Sequence, residues 1–311
     1  MTPILATIIR AKWRSYLKKH PPKPTTDEEV KKNLEEIVEY HKKRNTDVYS
    51  KKDSDYKGLD IETLELTNTN AYILSKEGNP KDKIVYYMHG GGFALGSPAE
   101  CSEFIGYFVK HFGYNMCAVD YRKIPEVNIM DILNDCEEGY KKLLETYKPE
   151  DICFIGDSAG GHLVFSLPHR LKDDDVPLPG GLIAISPVMQ FRRYAYSYYE
   201  CSGKTDLGIT FGINERVYPS LKGELDYNHK YVSPLCGDFT GFPKTYVDAS
   251  NMESLRDDAR MAYVKLKEAG VDCEYHELEG FMHDQMPQVK LGYVRRIEHP
   301  LIKAFLKKVF E

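Results

Sequence analysis

The chain has 311 residues, with 42 basic against 47 acidic side chains, a formal net charge of −5 and 42% hydrophobic residues. A chain of that length buries enough surface to fold without staples, and its charge balance leaves no electrostatic footprint for nucleic acid. The seven cysteines are odd in number and form no Cys-x-x-Cys pair, which speaks against a disulfide framework or a zinc site and for a reducing, cytoplasmic setting.

The N-terminal apolar run Ile4 to Ile9 is short, no basic residue precedes it and no small-residue cleavage site follows. It is expected not to be a signal peptide. No segment reaches the roughly 18 apolar residues of a membrane span, so no stable membrane insertion is expected. Ile4, Leu5, Ile8, Ile9, Trp13 and Leu17 share one side of a helix. Pro21, Pro22 and Pro24 break it, and Thr26 opens a capping box with Glu29 before Val30, Leu34, Ile37 and Val38 at helical spacing. Lys18 and Lys19 are the one hint of surface attachment, against a polar face that is otherwise not strongly basic.

From residue 61 the period changes. Ile61, Leu64 and Leu66, then Ala71 to Leu74, predict two antiparallel strands. Apolar runs recur at Ile84–Met88, Met116–Val119, Ile152–Ile155, Leu182–Ile185, Thr245–Val247 and Glu274–Leu278, most of them separated by helical segments. Apolar strands alternating with helices predict an α/β fold, a mostly parallel sheet covered on both faces. Residues 188–240 interrupt the rhythm and read as an insertion over the strand ends. The division is a helical N-terminal cap at 1–60, a core in two parts at 61–187 and 241–311, and a cap insertion at 188–240.

Gly156-Asp157-Ser158-Ala159-Gly160-Gly161 follows a predicted strand and precedes a predicted helix. That is the context of a G-x-S-x-G nucleophile elbow, a sharp strand-to-helix turn that exposes the serine. Side chains two positions either side of Ser158 would collide there, hence the glycines. His89-Gly90-Gly91-Gly92-Phe93 follows the strand Ile84–Met88 and matches an HGGG-type oxyanion loop, whose backbone N–H groups can meet a developing negative charge. A dinucleotide fingerprint fails because Gly96 falls one residue late, and the Lys-Ser/Thr of a P-loop is missing.

A nucleophilic serine needs a base and the base an orienting acid, in the chain order Ser, acid, His. His283 lies just after the last predicted strand and is the base. His276 falls within that strand and His162 behind the serine, so both read as structural. The acid should follow the strand Thr245–Val247, from Asp248, Glu253, Asp257 and Asp258. Glu253 is favoured because it lies in the loop, with Asp257 in reserve at the start of a helix, where acids suit the dipole.

Together these residues resemble the hormone-sensitive-lipase-like family of α/β-hydrolase carboxylesterases, over most of residues 80–290. His89 to Gly92 match its HGGG motif, Gly156 to Gly161 its GDSAGG, Asp120 to Glu126 its D-Y-R-x-x-P-E, and Ser233-Pro234-Leu235 its S-P-L turn. The resemblance implies the α/β-hydrolase fold with a helical cap, the triad acid at Glu253 where many members have Asp, the base at His283, and oxyanion donors on Gly91, Gly92 and Ala159. Val127 to Met130 and Val188 to Gln190 depart from its pattern, which bears on substrate preference. The expected reaction is acyl transfer from a small-molecule ester to Ser158. An amidase or deacetylase shares the same triad, and an inactive ligand receptor on the fold is the reading from another class. No metal or organic cofactor is implied, and a homodimer is the one protein partner left open. Phe93 and Phe281 flank the catalytic loops as candidate substrate contacts. Tyr194 and Tyr198 could line an aromatic pocket, although plain packing of a cap segment is the commoner use of such a run.

Overall fold

The computed structural model describes residues 27–191, 195–202, 205–206, 219–281 and 283–311. The first predicted helix with Trp13, Lys18 and Lys19, the Thr26 cap, and Tyr194 lie outside the described residues.

Eight strands form one sheet: β1 (Asp60–Glu65), β2 (Asn70–Ser75), β3 (Ile84–Met88), β4 (Asn115–Val119), β5 (Ile152–Asp157), β6 (Gly181–Ile185), β7 (Lys244–Ser250) and β8 (Cys273–Leu278), in the spatial order β1-β2-β4-β3-β5-β6-β7-β8. The β1–β2 and β2–β4 pairings are antiparallel and all others parallel. The central strands β3, β4, β5 and β6 are buried along their whole length, which is why they read as unbroken apolar runs.

Alternate side chains feed two cores. On one face Tyr86, Cys117, Phe154 and Leu182 pack against helices α3 (Ile129–Leu144), α4 (Ala159–Asp173) and α6 (Arg256–Glu268). On the other, Val85, Met116, Cys153 and Ile183 meet α2 (Ser102–His111) and α7 (Gly292–Phe310). Local signals place the helices. Asn128 caps α3, accepting from Met130 N, and the Asp131 side chain accepts from Asn128 N in return, satisfying donors that the first turn leaves free. Ahead of the sheet, α1 (Asp27–Lys43) lies against the loop after β3, where His41 and Arg44 reach the carbonyls of Ala94 and Gly96.

One expectation changes. Strand β7 runs on to Ser250, so Asp248 lies inside the strand rather than past its end, with Tyr246 donating its hydroxyl to the carboxylate at 2.9 Å. Of the tyrosine run in 188–240, Tyr198 sits on the short helix α5 (Tyr196–Cys201), buried in the core with its hydroxyl 3.2 Å from Asp258 Oδ2, while Tyr196 and Tyr199 are exposed.

Candidate active site

Ser158 stands alone between β5 and α4, at φ 53° and ψ −111°. A non-glycine residue held in this region costs about 1–3 kcal/mol and persists only where its surroundings fix it. Here the Ser158 N–H donates to the Ile185 carbonyl at 2.8 Å, and its own carbonyl accepts from His162 N at 3.0 Å and Val188 N at 3.3 Å. The turn leaves no room beside it. A Cβ on Gly160 would lie 1.9 Å from the Met88 carbonyl oxygen, and one on Gly156 2.4 Å from that of Gly160.

Three chain-distant side chains meet at this turn. His283 Nε2 lies 3.0 Å from Ser158 Oγ, and His283 Nδ1 lies 3.5 Å from Glu253 Oε2. Glu253 is wholly buried, and Ser186 Oγ donates to the same Oε2 at 2.8 Å. Burial alone disfavours an imidazolium at His283. The Glu253 carboxylate outweighs it, helped by Asp206 and Asp284, and carries the ring up to about 9. Burial also raises the Glu253 carboxyl, with the hydrogen bond and charge of His283 opposing. Asp257, the reserve acid, is engaged elsewhere, with Arg256, Arg260 and the Ser197 amide.

The loop after β3 supplies donors. Gly91, Gly92 and Phe93 have φ of 113°, 63° and 62° in succession, a path that glycine follows without strain and phenylalanine does not. The Gly91 carbonyl accepts from Leu95 N at 2.9 Å and the Phe93 carbonyl from Ile124 N at 3.0 Å. The N–H groups of Gly91, Gly92 and Ala159 have no hydrogen-bond partner among the described residues. Ala159 is the first residue of α4, where helix geometry leaves the N–H without an internal partner.

Asp157 ties this loop to the nucleophile strand. Its Oδ2 accepts from Gly90 N at 2.9 Å and its Oδ1 from the Tyr87 hydroxyl at 2.7 Å. Burial raises its pKa against opposing hydrogen bonds from Tyr87, Asp284 and Gly90. His89 stacks on Tyr121 at 4.3 Å and is kept neutral by burial and by the nearby Lys123 charge.

The remaining candidates divide. Phe93 is buried against His162 and Phe191. Phe281 is buried edge-on against Tyr293, and its carbonyl accepts from Ser250 Oγ. His162 lies within 2.9 Å of the Val188 and Tyr231 carbonyls, and burial pushes it down to about 4. His276 stacks on Tyr246 and pairs with Glu274 at 3.1 Å. Sequence reasoning missed Ser186, Asp157 and Asp284 as neighbours of the triad. Phe93, Ser158, Ser186 and Asp284 are four of the five non-glycine residues with positive φ among those described, a backbone feature that no residue type in the sequence announces. No cluster of metal-ligating side chains occurs among the described residues.

Residues 85–286 match a family profile described as an alpha/beta hydrolase fold. The chain belongs to this family. Among its alpha/beta-hydrolase relatives is the esterase LipU of Mycobacterium tuberculosis, 32% identical over 232 residues, covering 71% of this chain and 77% of LipU. The carboxylesterase/phospholipase LipF of the same species is 29% identical over 236 residues, covering 71% of this chain and 62% of LipF. The crystal structure of an esterase from the bacterial hormone-sensitive lipase family superposes with a TM-score of 0.78 at 24% identity, over 100% of both chains, a likeness of fold. This alpha/beta hydrolase is an esterase of the serine-hydrolase class.

Proposed function

We propose that this esterase hydrolyses small or medium acyl esters through Ser158, His283 and Glu253. The observation that carries the reading is the 3.0 Å contact between Ser158 Oγ and His283 Nε2 beside three unpaired backbone amides. In the first half-reaction His283 Nε2 takes the Ser158 hydroxyl proton as Oγ attacks the ester carbonyl carbon. The carbonyl oxygen becomes an oxyanion met by the N–H groups of Gly91, Gly92 and Ala159. As the C–O bond to the alcohol breaks, His283 returns the proton to the leaving oxygen. Water, deprotonated by His283, then attacks the acyl carbon; the C–Oγ bond breaks, His283 returns the proton to Ser158 Oγ, and the carboxylic acid leaves. Glu253 holds the ring with Nε2 toward the serine and stabilises the imidazolium. Every role belongs to this chain's own residues.

Residues 1–60 and 188–240 are read as two parts of a cap over the strand ends, and the contacts of α1 with the loop after β3 support the first part. All seven cysteines are free thiols, which supports a cytoplasmic setting. Among the described residues no helix is long and apolar enough to cross a membrane. A homodimer stays a proposal for a sedimentation measurement.

The test is a panel of p-nitrophenyl esters of increasing acyl length together with aryl amides. Turnover is expected to be highest on the short esters and to vanish in Ser158→Ala, whose melting temperature stays that of the wild type. Turnover retained in that variant refutes the nucleophile. Faster cleavage of aryl amides than of esters refutes the substrate class.

A further inference from the structure

The loop from His89 to Gly96 is supported unevenly. Its first limb is tied to the core: Asp157 takes the Gly90 amide, the Tyr121 hydroxyl donates to the His89 carbonyl at 2.6 Å, and Ile124 N donates to the Phe93 carbonyl. The second limb, Ala94 to Gly96, carries two carbonyls that accept no backbone N–H among the described residues. Both are taken by α1 and the residue just past it. His41 Nε2 donates to the Ala94 carbonyl at 2.5 Å, and Arg44 Nη1 donates to the Gly96 carbonyl at 2.7 Å.

Each of these side chains is itself aimed by an acid. His41 Nδ1 lies 3.1 Å from Glu126, and Arg44 lies 3.3 Å from Glu100, which also accepts from the Tyr40 hydroxyl at 2.5 Å. The His41 and Arg44 side chains are only 12% and 9% exposed, whereas Glu126 is 48% exposed; the carbonyl contacts, not the acid pairs, are the sheltered ones. Glu126 is the glutamate of the Asp120-to-Glu126 segment. That segment therefore braces the loop twice, through Tyr121 from within and through Glu126 and His41 from outside.

We infer that His41 and Arg44 are positioning residues of ester hydrolysis. By holding the Ala94 and Gly96 carbonyls they fix the backbone path that aims the Gly91 and Gly92 N–H groups. The inference rests on the oxyanion role proposed for those amides. The physical need is specific: Gly91 and Gly92, both at positive φ, have wide backbone freedom and rely on their neighbours to hold their N–H directions. An oxyanion donor displaced by about 1 Å can cost on the order of 100-fold in rate. Because the oxyanion exists only past the ground state, a misaimed donor lowers kcat and leaves KM nearly unchanged.

The experiment compares His41→Ala, Arg44→Ala, Arg44→Lys and Lys43→Ala with wild type and Ser158→Ala on p-nitrophenyl acetate. It also measures inhibition by an alkyl trifluoromethyl ketone, whose serine adduct places an oxyanion where the tetrahedral intermediate does. His41→Ala and Arg44→Ala are expected to lower kcat by roughly 10- to 100-fold at near-constant KM, and to weaken the ketone by a similar factor. Arg44→Lys, which keeps a donor for the Gly96 carbonyl, recovers part of the loss. Lys43→Ala, on a side chain 72% exposed and paired among the described residues only with Glu39, behaves as wild type. Unchanged kcat in both alanine variants overturns the inference. So does a rise in KM alone, which would make α1 a substrate wall. If the alanine variants melt below the assay temperature, Arg44→Lys and the ketone titration decide in the cold, where equal ketone affinity overturns it. Activity surviving in Ser158→Ala would instead overturn the underlying catalytic reading.

Discussion

At the scale of single residues, the proposed mechanism makes the proton on His283 govern the response to pH. Its ring must be neutral to accept the serine proton, yet Glu253 and the acids behind it raise the ring to about 9 against the effect of burial. The expected kcat/KM profile therefore rises with pH on an acid limb displaced above the ordinary imidazole range of about 6.5. Glu253→Gln removes the charge that favours the imidazolium, so the limb should move to lower pH while the plateau falls, by about 100-fold or more. Asp257→Asn should leave both limb and plateau close to wild type, and its effect should fall on thermal stability through Arg256 and Arg260. The opposite ranking would transfer the acid to Asp257. The same pair contributes to folding with a matching sign. A raised imidazole pKa stabilises the fold fully below about 6.5, and that share is lost as pH rises through about 9.

That Ser158, Glu253 and His283 would meet was legible because each carries its own local sign: a glycine-flanked turn, a loop after a strand, a loop after the last strand. Ser186 and Asp157 bear on the same atoms without such a sign. Ser186 reads only as the end of an apolar run, and its bond to Glu253 spans 67 positions. The carboxylate of Asp157 could have pointed anywhere until Gly90 was known to pass beside it. Tyr198 shows the same limit in reverse, since a tyrosine run suits a pocket or a core equally until its hydroxyl is found at Asp258.

Among the elements, the join of β5, Ser158 and α4 is the tightest. A methyl group on Gly160 would meet the Met88 carbonyl of β3 at 1.9 Å, and backbone has no rotamer with which to yield. Gly160→Ala is expected to destabilise the protein by about 3 kcal/mol, near the upper end for overpacking, and to lower esterase activity by pushing α4 from β3. Thermal melting and p-nitrophenyl ester turnover check the two effects. Melting unchanged within a degree would mean that the elbow tolerates a Cβ. The strands themselves were readable as apolar runs because central strands are buried on both faces. The docking of α1 was not readable: its helical period was plain, but its contacts at Ala94, Gly96, Glu100 and Glu126 lie 52 to 85 positions away, and nothing local in α1 names them.

Over the whole molecule, stability comes from two apolar layers on a single sheet rather than from cross-links. The seven cysteines are unpaired, and five of them are buried. Melting temperature should therefore be the same with and without dithiothreitol. A fall on reduction would show a disulfide that the folded chain does not have here. The strand–helix rhythm disclosed the architecture. The antiparallel start and the parallel remainder of the sheet were readable from where helices do and do not separate the strands; the β4-β3 exchange in the spatial order was not, and without that order the face each crossover helix covers is not fixed.

The chain order of the site has a consequence for dissection. Asp157 fastens the Gly90 loop to the end of β5, one residue before Ser158, so the proposed nucleophile and its proposed oxyanion donors form one inseparable block ahead of residue 188. Acid and base both arrive after residue 240. The segment between them is thus a natural seam. A chain cut within it would yield one half that can be acylated in principle but lacks a proton acceptor, and one that holds the acceptor with nothing to activate. Hydrolysis would then report their reassociation along the β6–β7 boundary, which makes this hydrolase a candidate scaffold for a split reporter.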